Sequence, residues 1–100
     1  MTFEEHVRRA LDSLPPEFSR ALDNIAVVVE DENAAEPDLY GLFEGGGDYI
    51  PDKVTIYRLP LEGDFRDPDE LEQEIRITVL HELGHYFGLD EDRLGELGYE

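Results

Sequence analysis

A chain of 100 residues is one domain's worth of polypeptide, and at this size it buries about two-thirds of its unfolded surface on folding, enough for one modest core. Against 8 Lys and Arg stand 26 Asp and Glu, a formal net charge of −18 that repels nucleic acid and anionic membrane surfaces, so neither is expected as a partner. Cysteine is absent, which excludes disulfides, thiol catalysis and thiolate metal sites and leaves His and carboxylates to hold any transition metal.

The 40% hydrophobic content is ordinary globular usage, so a folded domain with an acidic exterior is expected over residues 1–100. Met1 to His6 is acidic and lacks a basic, apolar leader, and no apolar run reaches membrane-spanning length; a cytoplasmic monomer is the expectation. Phe3, Val7, Ala10, Leu11 and Leu14 recur at helical spacing until Pro15-Pro16 stops the run. His6 in that helix reads as a solvated or capping residue, not a ligand. A short second helix follows over Glu17 to Leu22. Ile25 to Val29 is apolar and β-branched, the pattern of a central strand covered on both faces.

Glu30 to Asp38 is acidic and reads as a solvated loop, and Leu39 to Glu44 as a short strand. The Gly45-Gly46-Gly47-Asp48 cluster lacks the Gly-Lys-Ser/Thr continuation of a phosphate cradle and reads as a flexible turn. Lys53 to Leu59 alternates, as a strand exposed on one side and placed at the sheet edge would. Pro60 to Arg66 reads as a connecting loop. The helix after it is the best specified element: Asp67 fits the N-cap, Pro68 the first helical position and Glu70 the capping-box position. Most of its circumference is apolar, but Glu74, Thr78, His81, Glu82 and His85 form one polar stripe. Unpaired polar groups in a buried helix are costly, so the stripe should face a cleft.

Within the stripe, His81-Glu82-Leu83-Gly84-His85 is HExxH. On a helix, residues four apart lie about one turn apart on the same face, so both imidazoles reach one ion. Glu82 then stands beside the metal without ligating it, where its carboxylate can take a proton from water and pass it to a leaving amine. Zinc needs a third protein ligand and an open position. An unbroken helix would carry residue 91 about 15 Å along the axis from His81, so the chain must turn back, and Gly88 at a C′ position permits the turn. The carboxylates beyond it are Asp90, Glu91 and Asp92; Glu91 is favoured as the ligand, with the other two solvated. Tyr57, Tyr86, Tyr99 or an Arg are candidates to steady an oxyanion, each equally suited to packing. Gly84 costs a helix about 1 kcal/mol relative to Ala, and a close approach of another backbone near the metal would compensate. Leu94, Leu97 and Tyr99 can fold back over the helix end.

Residues 81–91, HELGHYFGLDE, resemble the HExxHxxGxxH zinc signature of the metzincins, with Glu91 at the position of the third histidine. Together with Leu39-Tyr40-Gly41-Leu42-Phe43-Glu44-Gly45, Val54-Thr55-Ile56-Tyr57 and the run from His81 to Leu94, they are similar to the small bacterial zincin-like metallopeptidases. That resemblance implies an α+β fold, a minimal zincin with a small mixed β-sheet packed against the HExxH helix and an N-terminal helix. The expected function is a Zn²⁺-dependent peptidase, with His81, His85 and Glu91 on the metal and Glu82 as general base. Its substrate is a peptide or protein, with Lys or Arg near the cleavage point favoured by the acidic surroundings. The alternative is a module that binds metal or a partner protein on the same fold without cleaving. Calcium binding by the acidic loops lacks the D-x-[DN]-x-[DN]-G loop.

Overall fold

The computed structural model describes residues 1–98. Its elements in chain order are α1 (Phe3–Asp12), α2 (Pro16–Ala21), a 3₁₀ turn (Leu22–Asn24), β1 (Ile25–Glu30), β2 (Gly41–Glu44), β3 (Asp52–Tyr57), α3 (Arg58–Asp64), α4 (Pro68–Tyr86) and α5 (Glu91–Leu97). This is the expected mixed α+β architecture: three strands in the order β1-β3-β2, with β1 parallel and β2 antiparallel to β3.

The helices form where the sequence provides their ends. Thr2 caps α1 by accepting a hydrogen bond from the Glu5 N–H, and Asp67 caps α4 by accepting from the Glu70 N–H at 3.0 Å. One face of α1, through Phe3, Val7 and Ala10, packs on α4, whose Ile75, Val79, Leu80 and Leu83 are fully buried against Val54 and Ile56 of β3. His6 belongs to this interface and is not solvated: it is buried, and its Nδ1 lies 3.0 Å from Glu72 Oε1, which also accepts from Arg9 Nε at 2.9 Å.

Three local expectations are corrected. Ile25–Glu30 is an edge strand, and the central place belongs to β3, whose Val54, Thr55 and Ile56 are completely buried. A three-stranded sheet has one interior position, and it goes to the strand that pairs on both sides; β1 buries its β-branched residues chiefly through Ile25, Val27 and Val29 on the core face. The alternation in β3 does not mark an exposed face, because Thr55 and Tyr57 are buried too, and the Tyr57 hydroxyl accepts from Asn33 Nδ2 at 3.0 Å. The third correction is the stretch expected as a loop, Pro60 to Arg66, which lies largely in α3. Pro60 occupies the first turn, where no backbone N–H is needed, Leu61 is completely buried, and Arg58 pairs with Glu62 one turn on at 2.7 Å.

The glycine cluster is a tight turn tied to β3 by the Gly46 N–H, which donates to Asp52 Oδ1 at 2.7 Å. A side chain at Gly46 would run into the Ile50 carbonyl, so glycine is required there by backbone contact. Among the described residues no helix is long and apolar enough to cross a membrane.

Candidate metal centre

The last turn of α4 and the first residue of α5 build the site. Helix α4 ends in a Schellman motif: with Gly88 at φ 78°, its N–H donates to the His85 carbonyl and the Leu89 N–H to the Gly84 carbonyl. The chain reverses there, as the spacing required. Asp90 then caps α5, accepting from the Arg93 N–H at 2.9 Å, which makes Glu91 the first helical residue and aims it back at α4.

The consequence is a triangle of ligand-capable atoms. His81 Nε2 and His85 Nε2 lie 3.2 Å apart, and Glu91 Oε1 lies 3.4 Å from the first and 3.1 Å from the second. A tetrahedral zinc ion with bonds of about 2.0–2.1 Å has edges of about 3.3 Å between ligand atoms, so the triangle fits one face of that tetrahedron. The donor set fits as well, two imidazoles and one carboxylate that could hold a metal ion. The group is open to solvent, with His81 and His85 side chains 25% and 38% exposed and Glu91 64%. Asp90 and Asp92 are not in the triangle.

Glu82 sits at the same place on the side of the sheet. Burial raises its pKa above the ordinary carboxylate value, opposed by His81, His85 and a hydrogen bond from the Phe43 backbone. A raised pKa makes it a stronger proton acceptor than a solvated carboxylate. Its closeness to β2 depends on Gly41, where a Cβ would meet Thr78 Cγ2 at 2.6 Å and Glu82 Cγ at 3.5 Å. The strand can therefore lie directly on the face of α4 that carries Thr78 and Glu82.

The polar stripe does face a cleft. A cavity of about 390 Å³ is lined by Asp38 to Gly41 on one wall and by Glu74, Ile77, Thr78, His81 and Glu82 on the other. His85 lies outside it, on the α5 side. The Asp38, Leu39 and Ile77 walls were not anticipated; Gly41 within a strand pattern was the available signal of close approach. Gly84 is explained by a side chain and not by a neighbouring backbone: a Cβ there would lie 2.3 Å from Leu94 Cδ2, and Leu94 is completely buried. Of the aromatic candidates, Tyr86 packs at a tilt on Phe43 and edge-on against Phe87, Tyr57 is buried against Asn33, and Tyr99 lies outside the described residues.

Comparison with known proteins gives one family. A family profile described as zincin-like metallopeptidase matches residues 22–99, from the 3₁₀ turn through His81, His85 and Glu91. No curated protein matches the chain.

Proposed function

Because the chain belongs to the zincin-like metallopeptidase family, we propose that it is a zinc-dependent peptidase with His81, His85 and Glu91 as metal ligands and Glu82 as general base. The observation that carries this reading is the open triangle of His81, His85 and Glu91 beside a half-buried carboxylate. Structural zinc sites close their coordination with four protein ligands, whereas hydrolytic sites keep one direction free; here three donors converge among the described residues and solvent reaches them. Zinc, when bound, supplies Lewis acidity that acidifies water and polarises a peptide carbonyl.

The chain's own residues supply the rest. Both histidines turn Nε2 toward Glu91, and the Schellman turn returns Glu91 to within 3.4 Å and 3.1 Å of them. Glu82, held against β2 by a hydrogen bond from the Phe43 backbone, would take the proton from the attacking water at its carboxylate and deliver it to the leaving nitrogen. Gly41, the first residue of β2, bounds the cleft beside it, past which a peptide would run.

The test is digestion of a peptide library by zinc-loaded protein, read by mass spectrometry, with Glu82→Gln at equal zinc content as the comparison. Glu82→Gln is expected to keep zinc and fold and to lose about 10²–10⁴-fold in rate. Zinc calorimetry is expected to show a greater loss of affinity for Glu91→Ala than for Asp90→Ala or Asp92→Ala. Zinc binding without cleavage of any peptide would favour the non-catalytic metal-binding reading.

A further inference from the structure

We propose that the cleft beside the metal triad is a subsite for one long cationic side chain, Lys or Arg, of a bound peptide, with Glu74 as its charge partner. The inference rests on the peptidase reading for its meaning in catalysis, but the cavity and its carboxylates are formed by the chain alone.

The cavity of about 390 Å³ lies at the small end of ligand pockets and has room for one long side chain of a peptide that passes it. Its walls differ in character along their length. Leu39, Tyr40 and Ile77 offer apolar surface, which suits the methylene stem of a Lys or Arg. Glu74 and Asp38 offer carboxylates, and no Lys or Arg lines the space. Neither carboxylate has a hydrogen-bond or ion-pair partner among the described residues, although the helix and strand walls partly shield Glu74 from water. That shielding, together with Glu70 one turn away, raises the Glu74 pKa, a penalty on the charged form that a bound cation would relieve.

Length gives the selectivity a second basis. Seven residues separate Glu74 from His81, about 10.5 Å of helical rise. A peptide whose carbonyl stands at the triad and whose neighbouring side chain points along α4 must bridge most of that interval before meeting Glu74. Lys and Arg have the reach, and short polar side chains do not. An acidic side chain would meet Glu74, Asp38 and Glu82 in one cleft and be repelled.

The experiment has a binding arm and a cleavage arm. In the first, calorimetry measures zinc-loaded Glu82→Gln protein with a peptide carrying Lys and with the same peptide carrying norleucine, which keeps the stem and lacks the charge. The Lys peptide is expected to bind more tightly, and adding Glu74→Gln should shrink the Lys/norleucine affinity ratio by about tenfold, the scale of one charge-assisted hydrogen bond. Glu70→Gln removes the same charge one turn outside the cleft and should leave most of the ratio in place. No Lys preference, or an equal fall with Glu70→Gln, overturns the subsite, because general acidity of the surface would then account for the result. In the second arm, the parent enzyme's cleavage sites are expected to carry Lys or Arg next to the broken bond, with the preference reduced by Glu74→Gln. Absence of all cleavage with a Glu74-dependent Lys preference in binding would remove the peptidase reading and leave the subsite standing. Cleavage without any Lys or Arg preference would do the reverse.

Discussion

Tyr40 donates its hydroxyl hydrogen bond to Asp64, tying the strand-side wall of the cleft to the end of α3. That bond, with partial burial and the nearby charges of Asp64, Glu74 and Asp38, pushes the Tyr40 pKa up from 10.0 to about 12. The folded pKa is raised above the unfolded one, so the contribution to stability is complete below pH about 10 and is lost as pH climbs through about 12. Thermal melts of the parent and Tyr40→Phe at pH about 8 and pH about 11 check this: the parent's advantage is expected at the lower pH and should shrink at the higher. The other tyrosines titrate in both proteins and cancel in the difference. An advantage that stays constant across the range would mean that the hydroxyl's partner does not matter. None of this was legible in the sequence, since Tyr40 and Asp64 are 24 positions apart and nothing local marks either as a hydrogen-bonding residue.

At the scale of elements, the joint between α4 and α5 is where sequence and site meet most directly. The start of α4, its polar stripe, its end at Gly88 and the return of Glu91 all follow from short-range rules, because caps, helical periodicity and left-handed glycines act within one or two turns. Helix α3 was not legible, because Pro60 and Gly63 suggest a loop and only the tertiary burial of Leu61 and the Arg58 pairs with Asp31 and Glu62 overrule them. The role of Gly84 was legible only in part, as a cost needing a compensation. That compensation is Leu94, which fills the space a side chain would take and lies one turn after Glu91. Gly84→Ala gains about 1 kcal/mol in helix propensity. It also drives a methyl group into a completely buried leucine, where overpacking costs typically about 1–3 kcal/mol. The expected net effect is a small loss of stability and a larger loss of zinc affinity, because displacing Leu94 shifts Glu91 with it. In a double-mutant cycle, Leu94→Ala should recover part of the zinc affinity lost by Gly84→Ala, seen as a coupling of about 0.5–3 kcal/mol. Additive effects would show that Leu94 does not transmit the change to Glu91.

For the whole molecule, the order of strands was the least legible feature, and metal binding at the triad would have the widest consequences. Local pattern distinguishes strand from helix, but which strand becomes central depends on a pairing between distant segments; β1 meets β3 in parallel with Ile25 opposite Asp52, and no local signal encodes that register. The candidate site, by contrast, draws on residues within eleven positions of one another, His81 to Glu91, so short-range rules suffice to bring them together. Yet the triad also spans the core helix and the last described element, α5, whose Leu94 is completely buried. Metal bound to the folded triad and absent from the unfolded chain stabilises by mass action, about 2.7 kcal/mol at a free concentration one hundred times Kd. For a domain of this size each kcal/mol is worth about 4–8 °C in Tm, so saturating zinc is expected to raise Tm by roughly 10–20 °C over chelated protein. Both samples must share one ionic strength, because salt screens the self-repulsion of a chain at −18 and would raise Tm without any metal. Hydrogen exchange should locate the effect: on chelation, protection is expected to fall first in α5 and the last turn of α4, while β3 in the core keeps its slow amides. Equal Tm values with and without zinc would remove the triad as a metal site, and loss of protection beginning in β3 would place the metal's influence elsewhere in the fold.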